Sequence, residues 1–269
     1  MGYENYVVFV DVMGFSDALE RLTDGDNQSL ANVSLDRGGQ SLVSGGARDV
    51  AEKYVTLRRT IETIADLYSW TVSAALLFSD SAFIVIPDRH TASQVAIDIM
   101  QKLYCAEVPA RIGIGKGSFF RLQFSTVSDP DGIVLVKTPF MGTGVVRAFR
   151  AQSSGCLGFR IFLHPSAVDE VSVYRWIYAE LTDPERNNHA WQELNFLDRP
   201  PYGDYPVQSV HTVYQHFQNM MKKNLPNDNP RVAEHYKATH IALERLKRIA
   251  DDNHYQPTLP RLPYERRDK

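Results

Sequence analysis

The chain has 269 residues, a formal net charge of −3, 43% apolar residues and 23% charged ones. That length allows one large domain, or a domain with an appendage, around a substantial core. The charge balance excludes the global basic excess of a nucleic-acid or membrane-surface binder, so neither partner is expected. Cys105 and Cys156 lie far apart in apolar contexts and read as reduced core residues, not as a disulfide or a metal pair.

At the N-terminus, Glu4 and Asp11 bracket a very short apolar run, which is no signal peptide. Position 6 is Tyr, where a myristoylation signal has Ser or Thr. No stretch reaches the ~20 apolar residues of a bilayer span, so the expected location is the cytoplasm. Residues 7–10 form a strand-like apolar run that ends in Asp11, and Gly14-Phe15-Ser16 turns the chain into a helical pattern. A buried strand ending in a carboxylate places charge at a sheet rim. The helix that follows directs unpaired backbone N–H groups to the same place. Such an edge can hold a divalent cation and a phosphate together.

Residues 24–46, rich in Gly, Ser, Asn and Asp, read as a long loop that could lid a site. Val50, Tyr54, Leu57, Ile61, Ile64 and Leu67 then recur at helical spacing. Residues 70–78 and 81–86 read as strands joined by a turn at Ser79-Asp80. Thr91 is the expected N-cap of a helix that buries Val95, Ile99, Met100 and Leu103. Residues 111–117 read as a strand, 119–124 with 133–136 as a hairpin, 142–152 as a helix and 159–163 as a strand. Residues 171–181 and 191–197 close the sheet in this reading. Two helical stretches, near 207–221 and 232–249, are separated by Asn224-Leu225-Pro226-Asn227-Asp228-Asn229-Pro230 and form a hairpin. The order implies an α+β fold, βαββαβ, with helices packed on one face of a mixed, mostly antiparallel sheet. Residues 1–200 are expected to form the main domain, 201–255 a helical C-terminal extension and 256–269 a disordered tail.

Four pieces carry candidate chemistry. Asp11 and Asp80 are hard oxygen ligands that suit Mg²⁺ or Mn²⁺ if the 81–86 hairpin neighbours the first strand. As a lone turn residue, Asp80 has a plain structural explanation. Arg111-Ile112-Gly113-Ile114-Gly115-Lys116-Gly117 sets bare backbone sites on one strand face, which permits close approach of another chain or a ligand. Arg147 and Arg150, three apart, share one face of the 142–152 helix. An arginine so placed could stabilise charge on a transferring phosphoryl group, or simply be solvated. His211 with His216, and His235 with His240, are five apart and do not pair as helical metal ligands.

In this order the four pieces resemble the catalytic domain of class III nucleotidyl cyclases. Phe9-Val10-Asp11-Val12-Met13-Gly14-Phe15-Ser16 is similar to the family's Phe-x-Asp-Ile-x-Gly-Phe-Thr strand and turn, and Phe78-Ser79-Asp80 to its second metal-ligand turn, with Ser79 in place of Gly. The 111–117 strand resembles Arg-x-Gly-Ile-x-x-Gly, and residues 142–150 resemble the family's Gly-x-x-Val-Asn-x-Ala-x-Arg helix. The resemblance covers residues 6–163 and implies a ferredoxin-like cyclase domain. It implies that Asp11 and Asp80, with the Val12 carbonyl, bind two Mn²⁺ or Mg²⁺ ions per active site. Gly14 and Phe15 N–H groups would cradle a nucleoside triphosphate, Arg111 would contact phosphate, and Arg150 would stabilise the transition state from the facing subunit of a homodimer.

The departures matter too. The family's purine-reading Lys falls at Leu76, its second base reader near Pro139 and its ribose-orienting Asn at Val146. An apolar wall discriminates far less than a polar reader, so a purine substrate is disfavoured or the site has degenerated. The pattern resembles the pyrimidine cyclases of bacterial Pycsar antiphage systems. That implies UTP, favoured over CTP, as substrate and a cyclic 3′,5′-monophosphate acting through a separate effector. A purine cyclase and a catalytically silent nucleotide-binding module are the alternatives. A diguanylate cyclase relative lacks its expected Gly-Gly-Asp/Glu-Glu-Phe signature.

Overall fold

The computed structural model describes residues 4–23, 46–121, 140–168, 177–181, 191–194, 196, 210–224 and 230–252. The first strand, β1 (Asn5–Val12), leads into a short helix, α1 (Phe15–Glu20). Then follow α2 (Gly46–Leu67), the hairpin β2 (Ala74–Leu77) and β3 (Ser81–Ile86), α3 (Arg89–Cys105) and β4 (Ala110–Gly117). A small ribbon, β5 (Phe120–Arg121) with β6 (Phe140–Met141), precedes α4 (Thr143–Gln152) and β7 (Ile161–Leu163). The chain continues through β8 (Ile177–Leu181), β9 (Trp191–Leu194), α5 (Val210–Asn224) and α6 (Pro230–Asp252).

Seven strands form one sheet in the order β2-β3-β1-β4-β7-β9-β8, where only β4 and β7 run parallel. The fold is therefore α+β on a mixed, mostly antiparallel sheet. Its first four strands, β2-β3-β1-β4, have the ferredoxin-like order. The apolar run of β1 sits at the centre because both of its faces are covered: Tyr6 to Val10 are all buried. Tyr6, Val8, Val10 and Val12 point into the main core with α2 and α3, whereas Val7 and Phe9 join Phe83 and Ala148 in a much thinner layer on the other face.

That thin layer exists because α4 lies directly on β4. A Cβ on Gly113 would stand 2.1 Å from the Ala148 carbonyl oxygen, and one on Gly115 would stand 2.4 Å from the Ala148 nitrogen. The bare face of the 111–117 strand thus receives the chain's own helix. On the opposite face, Val213, Phe217 and Met220 of α5 and Tyr236 and Leu243 of α6 enter the same core as the strands.

Three expectations are corrected. The α3 cap is Asp88, not Thr91: the Asp88 side chain accepts from the Thr91 backbone N–H at 2.8 Å, and the helix begins at Arg89. An ionised carboxylate at the N-cap is a better acceptor there than a hydroxyl one turn later. Trp70 lies outside β2, which starts at Ala74, in a turn closed by Thr71 and Val72 N–H groups on the Tyr68 carbonyl. The helices do not all pack on one face of the sheet: α4 covers the face opposite the main core, where the bare strand face of β4 lets it approach. Phe120 and Arg121 pair with Met141 and Phe140, and the rest of the expected hairpin, 122–124 with 133–136, lies outside the described residues, as do 24–45, 169–176, 197–209, 225–229 and 253–269.

Candidate active site

Strand pairing decides where the carboxylates meet. In β1, Asp11 is paired with Ser81 of β3 on one side and Arg111 of β4 on the other. Asp80 immediately precedes Ser81, and its carbonyl accepts from the Val12 N–H at 2.9 Å. The two acidic residues, 69 positions apart in sequence, are thereby neighbours at one rim of the sheet. A cleft of about 770 Å³ opens there, lined by Asp11, Val12, Gly14, Phe15, Asp80 and Arg111 among others.

The electrostatics follow from that packing. Burial, reinforced by the neighbouring Asp80 and opposed by Arg111, pushes the Asp11 carboxyl up from 3.8 to about 6. Burial likewise brings the Arg111 guanidinium down to about 10, although Asp11 beside it favours the charged form. Arg111 donates through Nη2 to the Cys156 carbonyl at 2.7 Å and lies over the Phe162 ring, 5.3 Å from its centroid. Its buried Nε makes no hydrogen bond to the described residues.

Gly14 caps the start of α1 in the left-handed region, φ 71°, which only glycine enters without steric penalty. No side chain caps that helix start. The Phe15 side chain is buried in the main core, which anchors the turn, and Gly14 and Phe15 both line the cleft. Among the described residues no three His, Cys, Asp or Glu side chains converge. A pair of carboxylates without further protein ligands fits Mg²⁺ or Mn²⁺, which retain open positions for water or substrate oxygens. Asp11, Asp80 and the Val12 segment could hold such ions.

The other expected site residues lie elsewhere. Leu76 is part-buried on β2 against the thin Val7–Phe9–Phe83 layer. Val146 and Arg150 are exposed on α4, and Pro139 lies outside the described residues. Val146 and Phe149 on α4, together with Phe78, Phe120 and Met141, expose apolar side chains; the Phe149 ring lies tilted 5.7 Å from Phe9, and Phe78 tilted 5.5 Å from Phe140.

Two contributions were not foreseen from the sequence. Gln152, at the end of α4, donates from its side-chain nitrogen to Asp11 Oδ2 at 2.6 Å. Helix α6 forms one wall of the cleft through Val232, His235 and Tyr236. His235 Nδ1 accepts from the Gly158 N–H at 3.0 Å, and Thr239 Oγ1 accepts from the Phe159 N–H at 2.8 Å. The only sequence signal for Gln152 was a polar residue two positions after Arg150 in a helix whose other face is buried. Nothing in the sequence pointed α6 at this cleft.

No family model matches the chain, and no curated relative does. Solved structures do. A bacterial light-regulated adenylyl cyclase aligns over 82% of this chain and 99% of its own, at 13% identity and a TM-score of 0.47. The guanylyl cyclase Cya2 aligns over 77% of this chain and 100% of its own, at 12% identity and 0.46. The adenylyl cyclase CyaB from P. aeruginosa aligns over 74% and 97%, at 14% identity and 0.43. Identities and TM-scores this low carry no conclusion about chemistry, which has to come from the site's own residues. Among the described residues no helix is long and apolar enough to cross a membrane.

Proposed function

We propose that the chain is a nucleotide cyclase that converts a pyrimidine nucleoside triphosphate, UTP in preference to CTP, to its 3′,5′-cyclic monophosphate and pyrophosphate. The observation that carries this reading is the meeting of Asp11 and Asp80 beside the uncapped Gly14–Phe15 turn, at the mouth of one cleft.

Asp11 and Asp80 would hold two Mn²⁺ or Mg²⁺ ions, with the Val12 carbonyl. Bound there, such ions lower the pKa of the ribose 3′-hydroxyl and neutralise charge on departing pyrophosphate. The Gly14 and Phe15 N–H groups orient the β and γ phosphates, and Arg111 adds positive charge beside them. The 3′-oxygen then forms a bond to the α-phosphorus in line with the breaking bond to the β-bridging oxygen, and the hydroxyl proton passes to water. Arg150 is exposed and does not line its own cleft. In this reading it serves the facing subunit's site, across a homodimer interface built on the apolar face around Val146 and Phe149. Leu76 and Pro139, apolar where the base is read in the purine enzymes this chain resembles, favour a pyrimidine, and Val146 stands where the ribose is oriented in them. The product would then be a second messenger acting through a separate effector, in antiphage defence.

Incubation with each of the four nucleoside triphosphates plus Mn²⁺, read by chromatography, tests this reading. Cyclic UMP or cyclic CMP is the expected product. A cyclic purine would replace the substrate assignment, a dinucleotide product would point to the diguanylate type, and binding without turnover would reduce the protein to a nucleotide-binding module.

A further inference from the structure

Gln152 is buried, and its amide nitrogen is 2.6 Å from Asp11 Oδ2. An ionised carboxylate only accepts hydrogen bonds, so the amide NH₂ and not its oxygen must face Asp11. The side chain is itself held. A Cβ on Gly113 would be 2.5 Å from the Gln152 backbone nitrogen and 3.0 Å from its Cβ, so the base of the side chain, at the end of α4, is pressed closely onto β4. Asp11 is thus approached from three directions: by Arg111 on the neighbouring strand, by Asp80 at the rim and by Gln152 from the helix. Arg111 spends its Nη2 on the Cys156 carbonyl. The Gln152 amide is the group that fixes which way the Asp11 carboxylate plane turns.

We propose that Gln152 is a positioning residue for the divalent-cation site, orienting the Asp11 carboxylate so that its remaining lone pairs face Asp80 and the cleft. This rests on the metal role of Asp11 and Asp80 given above. The same arrangement places the carboxylate's orienting group on the helix that presents Arg150 two residues earlier. The group that orients the metal ligand of one site and the arginine offered to the other are thus carried by one helix.

Partners that orient a metal ligand from outside its coordination sphere typically contribute about 10- to 100-fold in metal affinity. Gln152→Met keeps the side-chain length and volume but removes the donor. Gln152→Asn keeps the amide but withdraws it beyond reach. Mn²⁺ binding to the full chain is read from the loss of the free-ion electron paramagnetic resonance signal, with thermal melting of the metal-free protein as the folding control. Both variants are expected to bind Mn²⁺ about 10- to 100-fold more weakly than wild type. Raising Mn²⁺ to saturation should restore nucleotide turnover, which a merely structural defect would not allow. If one variant fails to fold, the other carries the test. Wild-type affinity in a folded variant would overturn the proposal. Absence of Mn²⁺ binding in the wild-type protein itself, unchanged by Asp11→Asn, would instead overturn the metal assignment on which it rests.

Discussion

Asp11 and Arg111 face each other across the β1–β4 ladder, and burial moves both off their ordinary titration ranges. Opposite charges this close favour ionisation of both groups, yet the Asp11 carboxyl still rises to about 6. Desolvation and the neighbouring Asp80 together outweigh the arginine. Ionising Asp11 is therefore costly here, chiefly because it is buried, and a cation beside it would offset that cost.

A stability prediction follows. Between 3.8 and about 6 the folded protein holds a proton on Asp11 that the unfolded chain has released. Stability of the metal-free protein therefore falls as pH rises through that window and stays lower above it. Asp11→Asn removes the loss, so the variant should melt at a higher temperature than wild type above pH 6, with the gap closing below pH 4. Mn²⁺ should reverse the order at neutral pH, because only the wild type gains stability from binding. Differential scanning calorimetry with and without Mn²⁺ reads both effects. A wild type that melts higher without metal at pH 7 would contradict the cost of burying the Asp11 charge.

Gly113 supplies a second prediction, about the helix and not the cleft. An added methyl would sit 2.1 Å from the Ala148 carbonyl oxygen and 2.5 Å from the Gln152 nitrogen, and both obstacles are backbone. Neither can move without lifting α4 from the sheet. Gly113→Ala should destabilise by about 3 kcal/mol, the upper end of what overpacking does. It should also weaken Mn²⁺ binding, since Gln152 moves with the helix. Denaturant unfolding and metal titration of the same variant check the two together.

How far the sequence could have led depends on which interactions are local. Asp11 was readable because an apolar strand that stops at a carboxylate is rare enough to demand a partner. The alternating glycines of 113–117 announced a close approach, although not that α4 would be the visitor. The Asp88 cap was missed in favour of Thr91 because both are good caps three residues apart, and only the backbone, extended at Asp88, separates them. Gln152 could not be read at all. Its partner is 141 residues away, and a glutamine in the last turn of an amphipathic helix looks the same whether it meets water or a buried carboxylate. The α6 wall was hidden for the same reason: its contacts to Gly158 and Phe159 span about eighty residues.

The ion pair of Arg160 and Glu193 tests the support behind the site. Arg160 donates from Nε and Nη2 to the two carboxylate oxygens at 2.7 and 2.6 Å, and both side chains are buried. The pair joins the start of β7 to β9, and Arg160 shares the Phe162 ring with Arg111. Removing one partner strands a charge in the interior. Arg160→Met should therefore destabilise by about 3–5 kcal/mol, and adding Glu193→Leu should recover most of that loss. Guanidinium unfolding of the two single variants and the double variant checks the pattern. A double variant no better than the worse single one would mean that geometry, and not the stranded charge, sets the cost.

The proposed division of labour between two subunits makes the sharpest prediction. Arg150 is exposed and lies off its own cleft, so Arg150→Ala should leave folding untouched while turnover drops by about 10²- to 10³-fold. Asp11→Asn should lower turnover at least as far, because it removes a carboxylate proposed to hold the metal ions. In a mixed dimer of the two variants, one site receives Asp11 from the first subunit and Arg150 from the second, both intact, whereas the other site lacks both. Random exchange makes half of the dimers mixed, each with one working site out of two. An equimolar mixture of two nearly inactive proteins should therefore recover about a quarter of wild-type activity, as a symmetric two-site dimer requires. A site completed within one subunit gives no recovery at any ratio, so the mixing curve decides whether the exposed face of α4 around Val146 and Phe149 meets a second copy of the chain.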